Sequence, residues 1–218
     1  DGDRNEARIG EGAVVFAPGS VDVRATTVHD FDDLAIGGSV SAVAAMAVGA
    51  AFNYTDSEAL ARVDGSVIVS GADSELNVVA YTDEHYSSDA ASIAIGGLVS
   101  VAGAAEVNVI SNTTRAGIGD GNVSLISADH VTVDASDTSE LDADTGVFAP
   151  GFGVAVGASA GVNIMSNTVE AFIGDAIINV ADGVEVEVEA RSDYTVGAFA
   201  KTFTAAGLIA GVGSVTYN

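Results

Sequence analysis

A five-residue pattern that returns at a fixed interval constrains this chain more than any other feature. Val21-Asp22-Val23-Arg24-Ala25 is followed by Leu76-Asn77-Val78-Val79-Ala80, then by Val131-Thr132-Val133-Asp134-Ala135 and Val186-Glu187-Val188-Glu189-Ala190, each 55 residues after the last. A repeat of this length is one supersecondary unit that cannot bury its apolar face alone and gains a core only by stacking on its neighbours. The expectation is a rod-like or wall-like structural protein and not a compact enzyme.

Other landmarks keep the same beat. Ala7-Arg8-Ile9-Gly10 corresponds to Ala61-Arg62-Val63-Asp64, Ala116-Gly117-Ile118-Gly119 and Ala171-Phe172-Ile173-Gly174, with one residue missing from the first unit between Gly10 and Val21. Asn recurs at 53, 108 and 163, with Thr216 near the fourth place. Four units result, at approximately 1–55, 56–110, 111–165 and 166–218. The last residues, Ser214 to Asn218, stand in the phase that leads into a further A-x-I-G segment, and Asp1 to Glu6 begins in that same phase. The expected partner is therefore self, either as continuation of a longer array or as head-to-tail stacking of subunits, because uncapped strand edges associate. Asp1 to Glu6 is expected to be part of that junction.

Within a unit, V-x-V-x-A alternates strictly, which reads as a half-buried strand. Val21, Val23, Leu76, Val78, Val131, Val133, Val186 and Val188 are its expected core. Short runs precede it (Val14-Val15-Phe16, Val67-Ile68-Val69, Val123-Ser124-Leu125, Ile177 to Val180) and end at turn signals such as Pro18-Gly19, Gly71-Ala72-Asp73 and Asp182-Gly183. The Gly/Ala/Val tracts, Ala35 to Phe52 for example, read as buried strands whose small side chains let two sheets approach closely. The expected class is all-β: a repeat β-solenoid, parallel β-helix-like, with about two rungs per unit, since rungs of roughly 20–30 residues are usual. The alternative is an antiparallel β-sandwich of long hairpins, with Gly37-Gly38 and Gly96-Gly97 at hairpin ends.

Seven basic residues against 31 acidic ones give a net charge of −24. Such a chain repels nucleic acids and anionic membrane surfaces, so neither nucleic-acid binding nor membrane insertion is expected. There is no cysteine, hence no disulfide framework and no thiolate metal site.

Two stretches carry a resemblance. Ala104-Ala105-Glu106-Val107-Asn108-Val109-Ile110-Ser111-Asn112-Thr113-Thr114-Arg115-Ala116-Gly117-Ile118-Gly119 and Gly161-Val162-Asn163-Ile164-Met165-Ser166-Asn167-Thr168-Val169-Glu170-Ala171-Phe172-Ile173-Gly174 resemble the VNVIxNxTxAxIG repeats of very large bacterial surface proteins, the leukotoxin-like filamentous adhesin and β-strand-repeat group. Phe52-Asn53-Tyr54 and Val63-Asp64 depart from that pattern. The resemblance implies an extracellular or cell-surface array, bacterial or archaeal, used for adhesion, filaments or a surface layer and touching a cell-surface or matrix ligand. It implies no catalytic residues.

The residues themselves point the same way. His29, His85 and His130 fall at different phases of the repeat, and no G-x-S-x-G, H-E-x-x-H or Walker loop is present. A carbohydrate-active β-helix enzyme is the distant alternative, but seven scattered basic residues suit it poorly. Calcium is the one ion the acidic stretches suggest, with Asp30, Asp32, Asp33, Asp83, Glu84, Asp142 and Asp144 as candidate oxygen ligands, although no known ligand spacing is met. A solvated edge explains the same residues. Glu185, Glu187 and Glu189 form a one-face acidic ladder. Asn53, Asn112 and Asn122 match glycosylation acceptors, as sequences often do by chance, and the periodic Asn residues suit hydrogen bonding along a β array.

Overall fold

A computed structural model of the chain describes residues 2–120, 124–179 and 185–218. Asp1, Asn122, Val123, Val180, Asp182 and Gly183, used above, lie outside them. Among the described residues there are eleven strands and no helix: β1 (Gly2–Ile9), β2 (Val14–Ser41), β3 (Ala44–Val63), β4 (Ser66–Gly96), β5 (Val99–Ile118), β6 (Ser124–Ser127), β7 (His130–Gly151), β8 (Val154–Ile173), β9 (Ala176–Asn179), β10 (Glu185–Ala206) and β11 (Ile209–Tyr217). Sheet I runs β1-β3-β5-β8-β11, and sheet II runs β10-β7-β4-β6-β9 with β2 beside β4. Among the described residues every pairing is parallel.

The register explains the period. Val21 lies against Leu76, Leu76 against Val131 and Val131 against Val186. In sheet I, Asn53 lies against Asn108 and Asn108 against Asn163. Along the long strands each residue thus sits beside the one 55 positions later, so one unit makes one rung and not two. The reason is strand length: at about 3.3 Å per residue, the 20 residues of β5 span about 66 Å, so two strands exhaust the repeat. The fold is a solenoid with two broad parallel faces. The antiparallel sandwich is excluded because no pairing is antiparallel. Gly37 and Gly38 lie inside β2, and Gly96-Gly97 turns the chain from sheet II to sheet I. Four rungs at about 4.8 Å build a stack only about 20 Å high, so the chain is a plate broader than it is tall and not a slender rod.

The missing residue of the first unit is absorbed locally. β1 pairs with β3 at an offset of 54, while Val14 to Pro18 pair with Ser66 to Ser70 at 52, and the shift between Pro18 and Ser20 restores 55. The turn signals there are kinks within continuous strands and not strand ends. Gly19, Gly71 and Asp73 have positive φ (95°, 123° and 58°), and β2 and β4 run through them. In the third and fourth units the short preceding runs are separate strands, β6 and β9.

Each rung turns at two corners. The narrow corners are two residues long: Ala42-Val43, Gly97-Leu98, Phe152-Gly153 and Gly207-Leu208. They stack through main-chain bonds, Leu98 N donating to Val43 O at 2.8 Å and Leu208 N to Gly153 O at 3.1 Å. The wide corners follow β1, β3, β5 and β8, where Asp64 N donates to Ile9 O, Gly119 N to Val63 O and Gly174 N to Ile118 O, each at 2.8 Å.

The interior changes character from one corner to the other. Beside the wide corners, Val23, Val63, Val67, Leu76, Val78, Ile118, Ile126, Val131 and Val133 form a dense aliphatic core. A polar belt follows, with Thr27, Thr82, Glu84, Glu106, Asn108, Asn112, Thr114, Asp137 and Ser139 all buried. Beside the narrow corners the interior is Ala45, Ala47, Ala94, Ala102, Ala104, Val147 and Ala149. Small residues there bring the sheets close: a Cβ at Gly37 would strike the main-chain carbonyl of Val48, and one at Gly49 that of Ala91.

Two expectations about burial are corrected. Val186 and Val188 share the register of the other core positions, yet are 44% and 45% exposed. β11 ends at Tyr217, so no strand of sheet I lies over them. The tract Ala35 to Phe52 is not one buried strand. It turns at Ala42-Val43, and its larger side chains face outward: Ile36, Val40, Met46, Val48 and Phe52 are each more than 60% exposed. In a strand alternate residues face opposite ways, and here the Gly and Ala residues take the inside.

Candidate functional site

The calcium candidates do not converge. In sheet II the even-numbered residues of β2 and β4 differ in facing, because the offset of 55 is odd. Asp30, Asp32, Asp83, Asp142 and Asp144 therefore sit on the outer face, Asp33 is inward and half-buried, and Glu84 is inward and 1% exposed. Among the described residues no three His, Asp or Glu side chains come together as a metal would need. The three His residues also stay apart: His29 lies against Glu84, His85 against Asp30 and His130 against Glu75 and Glu185. Glu185, Glu187 and Glu189 do share one face of β10, the first two exposed and Glu189 half-buried. Of the glycosylation matches, Asn112 is 1% exposed and Asn53 is half-buried, so neither side chain is presented to a modifying enzyme.

What the stack does assemble is a line of amides. Asn53 Nδ2 donates to Asn108 Oδ1 at 2.8 Å, Asn108 Nδ2 to Asn163 Oδ1 at 2.8 Å, and Asn163 Nδ2 to Asn218 Oδ1 at 3.0 Å. The fourth place in the Asn series is Asn218 and not Thr216, which lies against Gly161. The interval of 55 from Asn163 was the signal that would have found it. Every bond points the same way, so the ladder has a direction. Its open acceptor, Asn53 Oδ1, lies at the first rung, and its open donor, Asn218 Nδ2, at the last.

Buried acids flank this ladder. Asn108 Nδ2 also donates to Glu106 Oε1 at 2.5 Å. Asp137 Oδ1 accepts from Ser139 Oγ at 2.9 Å and Asn167 Nδ2 at 2.7 Å, and Asn112 Nδ2 donates to Ser139 Oγ at 3.0 Å. Burial pushes both carboxyls above the usual carboxylate range, against the lowering effect of those donors. Like charge adds to it, from Asp89 and Asp144 at Glu106 and from Glu84 at Asp137. Glu106 Oε2 and Asp137 Oδ2 have no partner among the described residues, a placement that costs far less for a neutral carboxyl than for an anion. Tyr86 Oη donates to Glu84 Oε2 at 2.5 Å, and His29 Nδ1 lies 3.4 Å from Glu84 Oε1.

The two ends of the stack are open. At the first rung, Phe31, Phe52, Asn53, Tyr54 and Thr55 surround a hollow of about 410 Å³ floored by Tyr86. Phe31, Tyr86, Leu141 and Val196 form one inward column, so the hollow lies where a further rung would place its own member of that column. At the last rung β11 pairs only with Val154 to Val162, leaving the edge of β8 from Asn163 to Ile173 uncovered. Across four rungs, the conserved offset gives each end the same outline of strands and columns. Comparison with family models, curated proteins and solved structures found no match to this chain.

Proposed function

We propose that this chain is a structural and adhesive extracellular repeat segment, without catalytic activity, whose rungs continue into further rungs to form a fibre or surface array. The observation that carries this reading is the pair of matching open ends. Sheet II ends on the unpaired edge of β2 on one side and of β10 on the other, and a directional amide ladder runs between them. Long unpaired edges with uncovered interior columns associate, and a head-to-tail contact that does not close yields fibres and not dimers. The edge offered is the same whether the next rung comes from this polypeptide or from another copy. The resemblance to bacterial surface repeats supports an exterior location, and the acidity supports solubility of a plate built of small residues.

A filament or surface-layer subunit is the narrower version, and the same experiment tests both. The 218-residue chain should grow linearly with concentration in sedimentation velocity and show plate-edge-to-plate-edge fibres by electron microscopy. Removing residues 1–10 should stop growth, whereas a charge change at outward-facing Asp134 should not. A chain that stays monomeric at high concentration, with both end rungs protected from hydrogen exchange, contradicts the reading.

A further inference from the structure

The outer face of sheet I is divided. On the wide-corner side it carries Asp56, Glu58, Arg62, Arg115 and Glu170, tied by pairs such as Arg115 Nε to Glu170 Oε2 at 2.9 Å. On the narrow-corner side every outward position is apolar, the Tyr54 and Tyr217 rings included. Met46, Val48, Phe52 and Tyr54 of β3 are 72%, 67%, 69% and 55% exposed, and Val101 and Ile164 on the inner strands are 36% and 47% exposed. Three strands contributing 11 residues each and the nine residues of β11 cover about 650 Å² at about 3.3 Å per residue and 4.8 Å per strand, more than the roughly 300–600 Å² of the largest apolar patch on an ordinary monomer.

We infer that this half of sheet I is an interface on which a second copy of the chain docks face to face. Three observations fix the occupant. Two such patches together bury about 1,300 Å², inside the range of a stable specific interface. A second copy also matches the patch column for column. The columns Met46/Val101/Val156/Gly211 and Phe52/Val107/Val162/Tyr217 stand on either side of a middle band, Val48/Gly103/Ala158/Gly213 and Ala50/Ala105/Ala160/Val215. A two-fold axis along the middle band lays the Met46 column of each copy on the Phe52 column of the other, at the same row spacing, because both are built of the same rungs. Finally, the patch holds no charge, so two chains of net −24 meet there without like-charge contact, the acids of this outer face lying on its other half. This contact is lateral and independent of growth at the stack ends.

The test uses the full chain in high salt, which strengthens apolar contacts and screens the acids. Val101→Glu should weaken lateral pairing by at least about 100-fold, since it buries an unpaired carboxylate in the apolar contact, while circular dichroism stays all-β. Ser111→Cys, at the border of the patch in a chain without cysteine, carries a spin label that should give one well-defined intermolecular distance, lost in Val101→Glu. The inference fails if pairing survives Val101→Glu. It fails equally if Ile93→Glu on the outer face of sheet II abolishes pairing instead, or if the wild-type chain shows no intermolecular distance and floats with phosphatidylcholine vesicles.

Discussion

The two halves of each rung use the same alternation to opposite ends. Beside the wide corners, Leu76, Val78, Val131 and Val133 point inward and Asn77, Thr132 and Asp134 point out, which is how a half-buried strand is ordinarily made. Beside the narrow corners, Ala102 and Ala104 point inward while Val99 and Val101 point out. One half therefore gains its stability from a thick core within the chain. The other is thin, held by close approach of its two sheets, and presents its larger side chains to whatever lies outside. Hydrophobic content alone does not tell a core from a surface; residue size at each parity of the strand does. Between the halves lies the polar belt, where Asn, Ser, Thr and buried acids bond along the stack.

This contrast breaks most clearly by cavity formation. Leu76→Ala removes a side chain that is 0% exposed, and should cost about 2–5 kcal/mol. Val101→Ser, in the outward set of the other half, should change the monomer's stability by less than about 0.5 kcal/mol. Urea unfolding of both variants checks the pair, and equal losses would mean that the halves do not differ as described. The converse substitution comes next. Ala102→Leu adds bulk where the sheets are closest and should destabilise by about 1–3 kcal/mol. The same insertion at Ala105, which faces outward, should be near neutral in the isolated chain.

The belt responds to pH. The carboxyls of Glu106 and Asp137 have folded-state values raised by burial, so the folded state favours their neutral forms. Their contribution is fully present below the unfolded carboxylate value of about 4 and is lost as pH rises through the raised folded values. The wild-type urea midpoint should therefore fall as pH rises from about 4 toward neutrality. Relief of the −24 self-repulsion at low pH acts in the same direction. Glu106→Gln with Asp137→Asn isolates the buried pair, because it removes two titrating groups and leaves the surface acids in place. A slope unchanged by the double substitution would show that surface charge alone sets it.

The sequence announced much of this. The fixed interval gave the parallel in-register stack, since only like placed on like repeats Val-x-Val-x-Ala at one spacing, and the one-residue deficit of the first unit appears as the net of two register changes, one between Ile9 and Val14 and one between Pro18 and Ser20. The rung count was not legible, because typical rung lengths argue for two per unit, and only the corners at Ala42-Val43 and Gly97-Leu98 show that each strand runs so far. Nor was the exposure of Ile36, Met46 and Val48: alternation assigns two faces without saying which is inside, and the aliphatic face is the usual choice. The buried acids Glu106 and Asp137 look like surface residues in a chain with 31 acids. Their place follows from parity with Asn108 and Ser139, which the sequence shows only once the inward parity is known.

The finest test separates the ladder from the edges that surround it. Asn163 Nδ2 donates to Asn218 Oδ1 within the chain, and on end-to-end growth Asn218 Nδ2 is placed to donate to Asn53 Oδ1 of the next rung. Asn218→Asp keeps the acceptor that Asn163 uses but replaces the donor by a second acceptor, so it leaves the last rung intact and spoils only the junction. One lost hydrogen bond is worth about 1 kcal/mol, and a carboxylate facing an amide oxygen adds to that, so end-to-end affinity should fall about tenfold. Thr216→Val, two residues away and outside the ladder, should leave it within about twofold. Sedimentation of the two variants beside wild type reads the difference. Equal affinities for Asn218→Asp and wild type would show that main-chain edges alone join the rungs, and that the amide line serves stability within the chain and not the polarity of growth.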